Sequence, residues 1–325
     1  MTGLTDEFSF WTGVEAEPDL AVFLLGDDQL MEEKVPHTVV AALPEGRWPI
    51  ELLRWTASAV CWVTQPAVEL VIIGHEGEVR SGCPGTWVDE PHININRAQG
   101  KNGHLRNART IDGRIYVVGM DRQVYRRIED RSWESLDNGL PIGYGETTDS
   151  GALEELLSAE EPDFGLIERE IAVVGFEGID GFSEREIYAV GHEGEIWCYD
   201  GSRWHSIPSP TNLILLGVHC ASDGYVYACG QIGTLLRGRG DMWEVIDSEG
   251  IRSDFWDVFE LNGTLYLATL HVLYEWRDGI FAPVDYGEQA IPFTFYRFAR
   301  TSQGFLSIGT KDVMRFDGKT WIRLM

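Results

Sequence analysis

The stretch Tyr188-Ala189-Val190-Gly191-His192-Glu193-Gly194-Glu195-Ile196, followed by Asp200-Gly201-Ser202-Arg203-Trp204, decides the fold. A short apolar run ends on a glycine, a polar turn follows, the apolar run resumes, and a second turn leads to a tryptophan. The pattern returns as Tyr227-Ala228-Cys229-Gly230-Gln231-Ile232-Gly233-Thr234-Leu235 and, upstream, as Val71-Ile72-Ile73-Gly74-His75-Glu76-Gly77-Glu78-Val79. Weaker copies are Tyr116-Val117-Val118-Gly119, Tyr266-Leu267-Ala268-Thr269 and Leu306-Ser307-Ile308-Gly309. An aromatic residue closes each copy 12 to 14 residues after the first turn: Trp87, Trp133, Trp204, Trp243, Phe281 and Trp321. The second turn is often Asp-Gly, as at Asp200-Gly201, Asp278-Gly279 and Asp317-Gly318. That dipeptide supplies the positive φ angles a tight hairpin demands.

One more apolar stretch precedes each copy, as in Leu213-Ile214-Leu215-Leu216-Gly217-Val218 and Phe255-Trp256-Asp257-Val258-Phe259. Each unit therefore holds four strands, which is one blade of a β-propeller. The first-turn positions are spaced by 45, 72, 39, 39 and 40 residues. The long gap joins the others once an insertion of roughly 30 residues is removed, given a usual blade of about 40–45. Six blades are readable from about residue 53 onward, and the first 52 residues are read as a degenerate seventh. In that segment Asp19-Leu20-Ala21-Val22-Phe23-Leu24-Leu25-Gly26 resembles a second strand and first turn, with Trp48 as the outer aromatic. Six blades with an N-terminal appendage is the alternative. The fold class is all-β, with residues 1–325 forming a single propeller domain of four-stranded blades. The final strand, around Trp321, completes its own blade, so the ring is expected to close by packing.

Residues 187–204 and 226–243 resemble bacterial propellers of the WD40-like, YCF48-like and BNR-like kind. The resemblance fades across the other blades. It departs from true WD40 repeats, because no Gly-His…Trp-Asp pair recurs, and from sialidase-type Asp boxes, because Ser-x-Asp-x-Gly-x-x-Trp is missing. It implies the fold and transfers no catalytic residue. Its YCF48-like part implies an assembly scaffold as one possible role.

The charge narrows the partners. The chain carries 52 Asp and Glu against 26 Lys and Arg, a formal net charge of -26. Such a field repels phosphate backbones and anionic membranes, so neither nucleic acid nor membrane is expected as a partner. Hydrophobic residues make up 44% of the chain, too many for a disordered one. Cys61, Cys83, Cys198, Cys220 and Cys229 form no CxxC pair, and an odd count fits reduced thiols. The first residues, Met1-Thr2-Gly3-Leu4-Thr5-Asp6-Glu7, carry acid where a signal peptide needs base. The expected localisation is cytoplasmic.

The charge is also uneven. Between Arg97 and Arg131 lie nine basic residues and four acids. Directly after comes an acidic insertion, residues 139–165, with seven acids and no Lys or Arg. Its Ser150–Glu160 stretch reads as a short helix capped by Asp149 or Ser150. The basic island is expected either to pair with this insertion or to form a separate contact site.

No HExxH, GxSxG, P-loop or dinucleotide fingerprint occurs, and no catalytic residue, cofactor or metal site is assigned. The two His-Glu-Gly tripeptides, His75-Glu76-Gly77 and His192-Glu193-Gly194, are two blades apart and are read as water-facing turns of the usual binding face. A lyase or hydrolase built on these histidines is the alternative to a binding role. The favoured reading is a protein-binding propeller, monomeric when free, with a basic protein partner. Its candidate partner-binding residues are Trp11, Trp48, His75, Glu76, His192 and Glu193, together with Tyr144, Glu146, Asp149, Glu154, Glu155, Glu160, Glu161 and Asp163 of the insertion. By type, an acidic single-domain chain without catalytic motifs resembles the immunity proteins that neutralise a cognate basic toxin or effector in bacterial competition.

Overall fold

The computed structural model describes residues 4–93, 103–141 and 173–325. Within them, seven four-stranded antiparallel sheets each run as a meander in chain order. We number the blades 1 (residues 8–53), 2 (57–89), 3 (105–135), 4 (176–207), 5 (215–245), 6 (257–283) and 7 (297–323). The first blade begins at Phe8, so the N-terminal segment is a blade and the six-blade alternative is set aside. The helix expected in the acidic insertion lies outside the described residues.

The second strand of each blade explains why the repeat is visible. Leu20–Asp27, Glu69–Gly74, Arg114–Gly119, Glu186–Gly191, Val226–Gly230, Thr264–Ala268 and Phe305–Ile308 are buried almost throughout. A neighbouring blade covers each face of such a strand, so both side-chain sets must be apolar and the alternation of a half-exposed strand disappears. Each fully buried Val, Leu, Ile or Phe contributes about 1.5–3 kcal/mol. The closing aromatics fill the same inter-blade spaces: Trp204 packs on Phe176 and Tyr199, and Phe281 stacks on Phe255.

The glycine that ends the second strand answers to a close approach. A Cβ on Gly191 would sit 1.9 Å from the Gly175 carbonyl oxygen, and one on Gly230 would sit 2.0 Å from that of Ile214. The next residues, His192 and Gln231, each donate their N–H to those same carbonyls at 3.0 Å. The chain entering a blade is thus pinned to the end of its second strand, where only glycine leaves room.

Blade 7 is completed by its own outer strand, Trp321–Arg323, and the ring closes without strand exchange. Phe10, Phe23 and Leu25 of blade 1 share one apolar cluster with Leu306, Ile308 and Val313 of blade 7. The Phe10 N–H donates to the Thr310 carbonyl at 2.8 Å, and Arg315 reaches Asp19 at 2.8 Å. Elsewhere carboxylates bridge innermost strands that share no backbone ladder. Asp180 accepts from the Cys220 N–H in the next blade, and Asp257 accepts from the Phe298 N–H, both at 2.9 Å.

The basic island resolves into the same kind of joint. Arg127 pairs with Glu69 at 2.8 Å and also with Glu90, both on the blade 2 side, while Arg131 pairs with Glu69 at 2.9 Å. On the other flank Arg114 reaches Glu184 at 3.0 Å, and the Nε of Arg122 donates to Glu195 at 2.7 Å, both in blade 4. Arg126 bridges Glu134 of its own blade and Glu184 of blade 4. Blade 3 is a cationic wedge between two blades that offer carboxylates. Arg122 also donates to the carbonyl of Pro141 at 3.4 Å, at the start of the acidic insertion, whose remaining residues lie outside the described ones.

Candidate functional site

Two sets of connections open on one face of the ring: the turns between second and third strands, and the crossovers between blades. His75 and His192 lie in such turns, and blade 3 ends and blade 4 begins on this side. At the centre lies an axial cavity of about 580 Å³, lined by residues from all seven blades.

Trp11, Ser58, Arg106, Glu177, Leu216, Asp257 and Arg297 mark one blade each around that cavity, and His75 and His192 join them. Arg106 lies 3.4 Å from Glu177, whose same oxygen meets His192 at 3.2 Å. His75 stacks on His104 with ring centroids 5.3 Å apart, and His104 reaches Glu76 at 2.9 Å. Burial, helped by the charges of His104 and Arg106 and opposed by Glu76, holds the His75 pKa below the ordinary imidazole value. These surroundings favour the neutral imidazole at His75. Asp257 accepts N–H bonds from Val258 and Phe298, and Arg297 donates to the Trp256 carbonyl at 3.2 Å.

Asp180 sits behind this wall. Burial alone would raise its carboxyl, but the hydrogen bond and charge of His219, the charge of Arg109 and the Cys220 N–H together hold it below the usual range. The thiols are chemically quiet, because burial pushes Cys61 and Cys198 up to about 11 and Cys229 well above its ordinary value. Among the described residues no group of three or more His, Cys, Asp or Glu is arranged to hold a metal ion.

The residues picked from sequence fall into three groups. His75, Glu76, His192 and Glu193 share the loop face, but the two imidazoles turn inward and are partly buried, so they are not water-facing. Glu76 and Glu193 are exposed. The tryptophans expected as exposed loop anchors are placed differently. Trp11 lies within the innermost strand Phe8–Glu17 and lines the cavity, with its ring 6.2 Å from that of His37. Trp48 lies in the connection before the outer strand of blade 1, on the opposite face, half-buried against Trp62 and Trp87. Trp48 is drawn in because the seam between blades 1 and 2 needs large apolar side chains to fill it. Tyr144, Glu146, Asp149, Glu154, Glu155, Glu160, Glu161 and Asp163 lie outside the described residues. Sequence reasoning missed Arg106, Arg109, Glu177, Asp257 and Arg297. Their signal was a charged residue inside the opening strand, seen in blades 3, 4, 6 and 7.

The fold and its loop face define a seven-bladed β-propeller with an axial cavity and no strand exchange at its seam. No family model matches the chain. It is similar in fold to YCF48 bound to a D1 peptide, with a TM-score of 0.62 at 14% identity over 98% of this chain and 92% of that one. The WD40 propeller domain of Doa1 gives 0.60 at 11% identity over 97% and 92%. YCF48 from Cyanidioschyzon merolae gives 0.63 at 11% over 98% and 95%. At these identities the likeness concerns the fold alone. In sequence the chain is 37% identical to the immune protein Tsi7 of Pseudomonas aeruginosa over 327 residues, covering 99% of this chain and 98% of that protein. The chain belongs to the Tsi7 family of immune proteins.

Proposed function

We propose that the protein is an immunity protein that acts in the cytoplasm as a monomer, neutralising a basic toxin by binding it directly and without catalysis. The observation that carries this reading is the 37% identity to an immune protein along the whole chain. The charge of -26 supports the sign of the partner, since an anionic surface steers a cationic protein and speeds encounter. The histidines and carboxylates of the axial wall mostly satisfy one another, which fits a rigid binding platform.

Co-expression with the product of the adjacent gene tests the proposal. That product alone should arrest growth, this chain should relieve the arrest, and the two should purify as a one-to-one complex. Association should slow as salt rises from 50 to 500 mM, because the Debye length shrinks from above 10 Å to a few Å. An adjacent product that is neither toxic nor bound refutes the reading. Tight binding whose on-rate ignores salt refutes the basic partner.

A further inference from the structure

The loop face is not uniform. Its sector over blades 5 to 7 displays large apolar side chains that no blade covers: Phe293 is 83% exposed, Ile291 73%, Ile232 48% and Leu270 40%. The backbone brings them together. The Phe295 N–H donates to the Leu270 carbonyl, and the Phe293 N–H donates to the Asp312 carboxylate. Phe293 is thus held between the turns of blades 6 and 7. Ile232 occupies the corresponding turn of blade 5, and its N–H is fixed by Asp254 at 2.9 Å.

Ile232 has a φ of +54°, a left-handed conformation that β-branched residues seldom adopt. The same turn position in blade 4 holds Glu193, at +58°. A strained backbone that presents a bare apolar side chain to solvent is characteristic of a working surface. The crossovers on either side of the Leu270 turn, residues 246–256 and 284–296, carry five carboxylates and one arginine. Asp247, Glu249, Asp285 and Glu288 are exposed there, and none forms an ion pair among the described residues. An apolar centre within an acidic rim matches a partner with an apolar anchor set among Lys and Arg.

We infer that this sector, centred on Ile291 and Phe293, is the surface that seats the basic toxin. The inference rests on the function proposed above. The test uses the adjacent-gene product with the wild-type chain, with Ile291→Ser/Phe293→Ser, and with Met242→Ser, an 82% exposed residue on the opposite face. The double variant should weaken binding by about 30-fold or more and abolish relief of growth arrest. Met242→Ser should bind within about twofold of wild type. Hydrogen exchange on the wild-type complex supplies a second readout, with protection expected in residues 231–234, 269–272 and 287–295.

If the wild-type chain does not bind the product, the proposed function fails and this inference falls with it. Wild-type neutralisation with an equally tight double variant, or with protection confined to other segments, overturns the inference and leaves the function standing. A free chain that dimerises through this sector, and is made monomeric by the double variant, assigns the surface to a second copy and also overturns it.

Discussion

Arg127→Met should destabilise the protein more than any other single charge removal in blade 3. The Arg127 side chain is 9% exposed, and its partners Glu69 and Glu90 are 5% and 0% exposed. Without the guanidinium, Glu90 keeps only the Trp133 Nε1–H at 3.1 Å, and Glu69 keeps Arg131 at 2.9 Å. Breaking a buried pair by removing one partner costs about 3–5 kcal/mol, mostly because the other charge stays buried and uncompensated. At about 2.1 cal/mol/K per residue, a chain of this length loses roughly 1.5 °C for each kcal/mol, so the melting point should fall by about 5–7 °C. Arg127→Met/Glu69→Gln/Glu90→Gln removes the stranded charges as well and should recover at least about half of the loss. Urea titration followed by tryptophan fluorescence measures both variants. A loss below about 1 kcal/mol for Arg127→Met, or a triple variant no better than the single, would show that blade 3 is not held by its charges.

Other expectations follow from the same geometry. Gly191→Ala places a methyl 1.9 Å from the Gly175 oxygen and should cost at least about 2 kcal/mol, whereas Gly263→Ala, with open space around it, should pay only for its φ of +80°. Equal losses at the two sites would remove close approach as the reason for the repeat glycine. Trp321→Ala strips a ring that stacks on Phe316 at 4.5 Å and meets Tyr286 at 5.0 Å, so unfolding free energy should drop by about 3–5 kcal/mol. A loss under 1 kcal/mol would mean that blade 7 is held some other way. Asp180 has a folded pKa below its unfolded value near 3.9, so its stabilisation is complete above that pH. It fades as pH falls through the lower folded value. Asp180→Asn should therefore flatten the acid limb of a stability–pH curve, and an unchanged limb would contradict the assignment.

The architecture was legible because its cause is local. A strand covered on both faces must be apolar without interruption, and the glycine after Val190 or Cys229 is forced by a carbonyl about 2 Å from its missing Cβ. The covered strand recurs in each blade and the carbonyl approach at Gly119, Gly191, Gly230 and Gly309, so they print a repeat that is weaker in blade 6, where Thr269 takes the glycine's place. The axial wall left no comparable trace. Arg106, Glu177 and His192 meet because blades 3 and 4 are neighbours in the ring, and nothing near Arg106 in sequence announces Glu177. The joint between Arg122 and Glu195 spans 73 residues in the same way. Trp11 and Trp48 were placed wrongly for a related reason: composition marks a tryptophan as an exposed anchor, and only the folded ring turns Trp11 to the axial cavity and Trp48 into the seam between blades 1 and 2.

The uneven charge acquires a different meaning once the blades are in place. Arg106, Arg114, Arg122, Arg126, Arg127 and Arg131 reach into the joints with blades 2 and 4, where they meet Glu69, Glu90, Glu177, Glu184 and Glu195, and Arg126 also meets Glu134 of its own blade. Pairing offsets the charge of each member in the field that an approaching protein feels. Among the described residues, the exposed carboxylates Asp247, Glu249, Asp285 and Glu288 have no such counterparts. The island that softens the charge in sequence does not soften it at this sector. The exposed carboxylates Asp247, Glu249, Asp285 and Glu288 there flank the apolar side chains of Ile291 and Phe293. In the proposed complex, long-range attraction by the rim followed by desolvation of the centre would give fast encounter and slow release, the kinetic order that the proposed neutralising role requires.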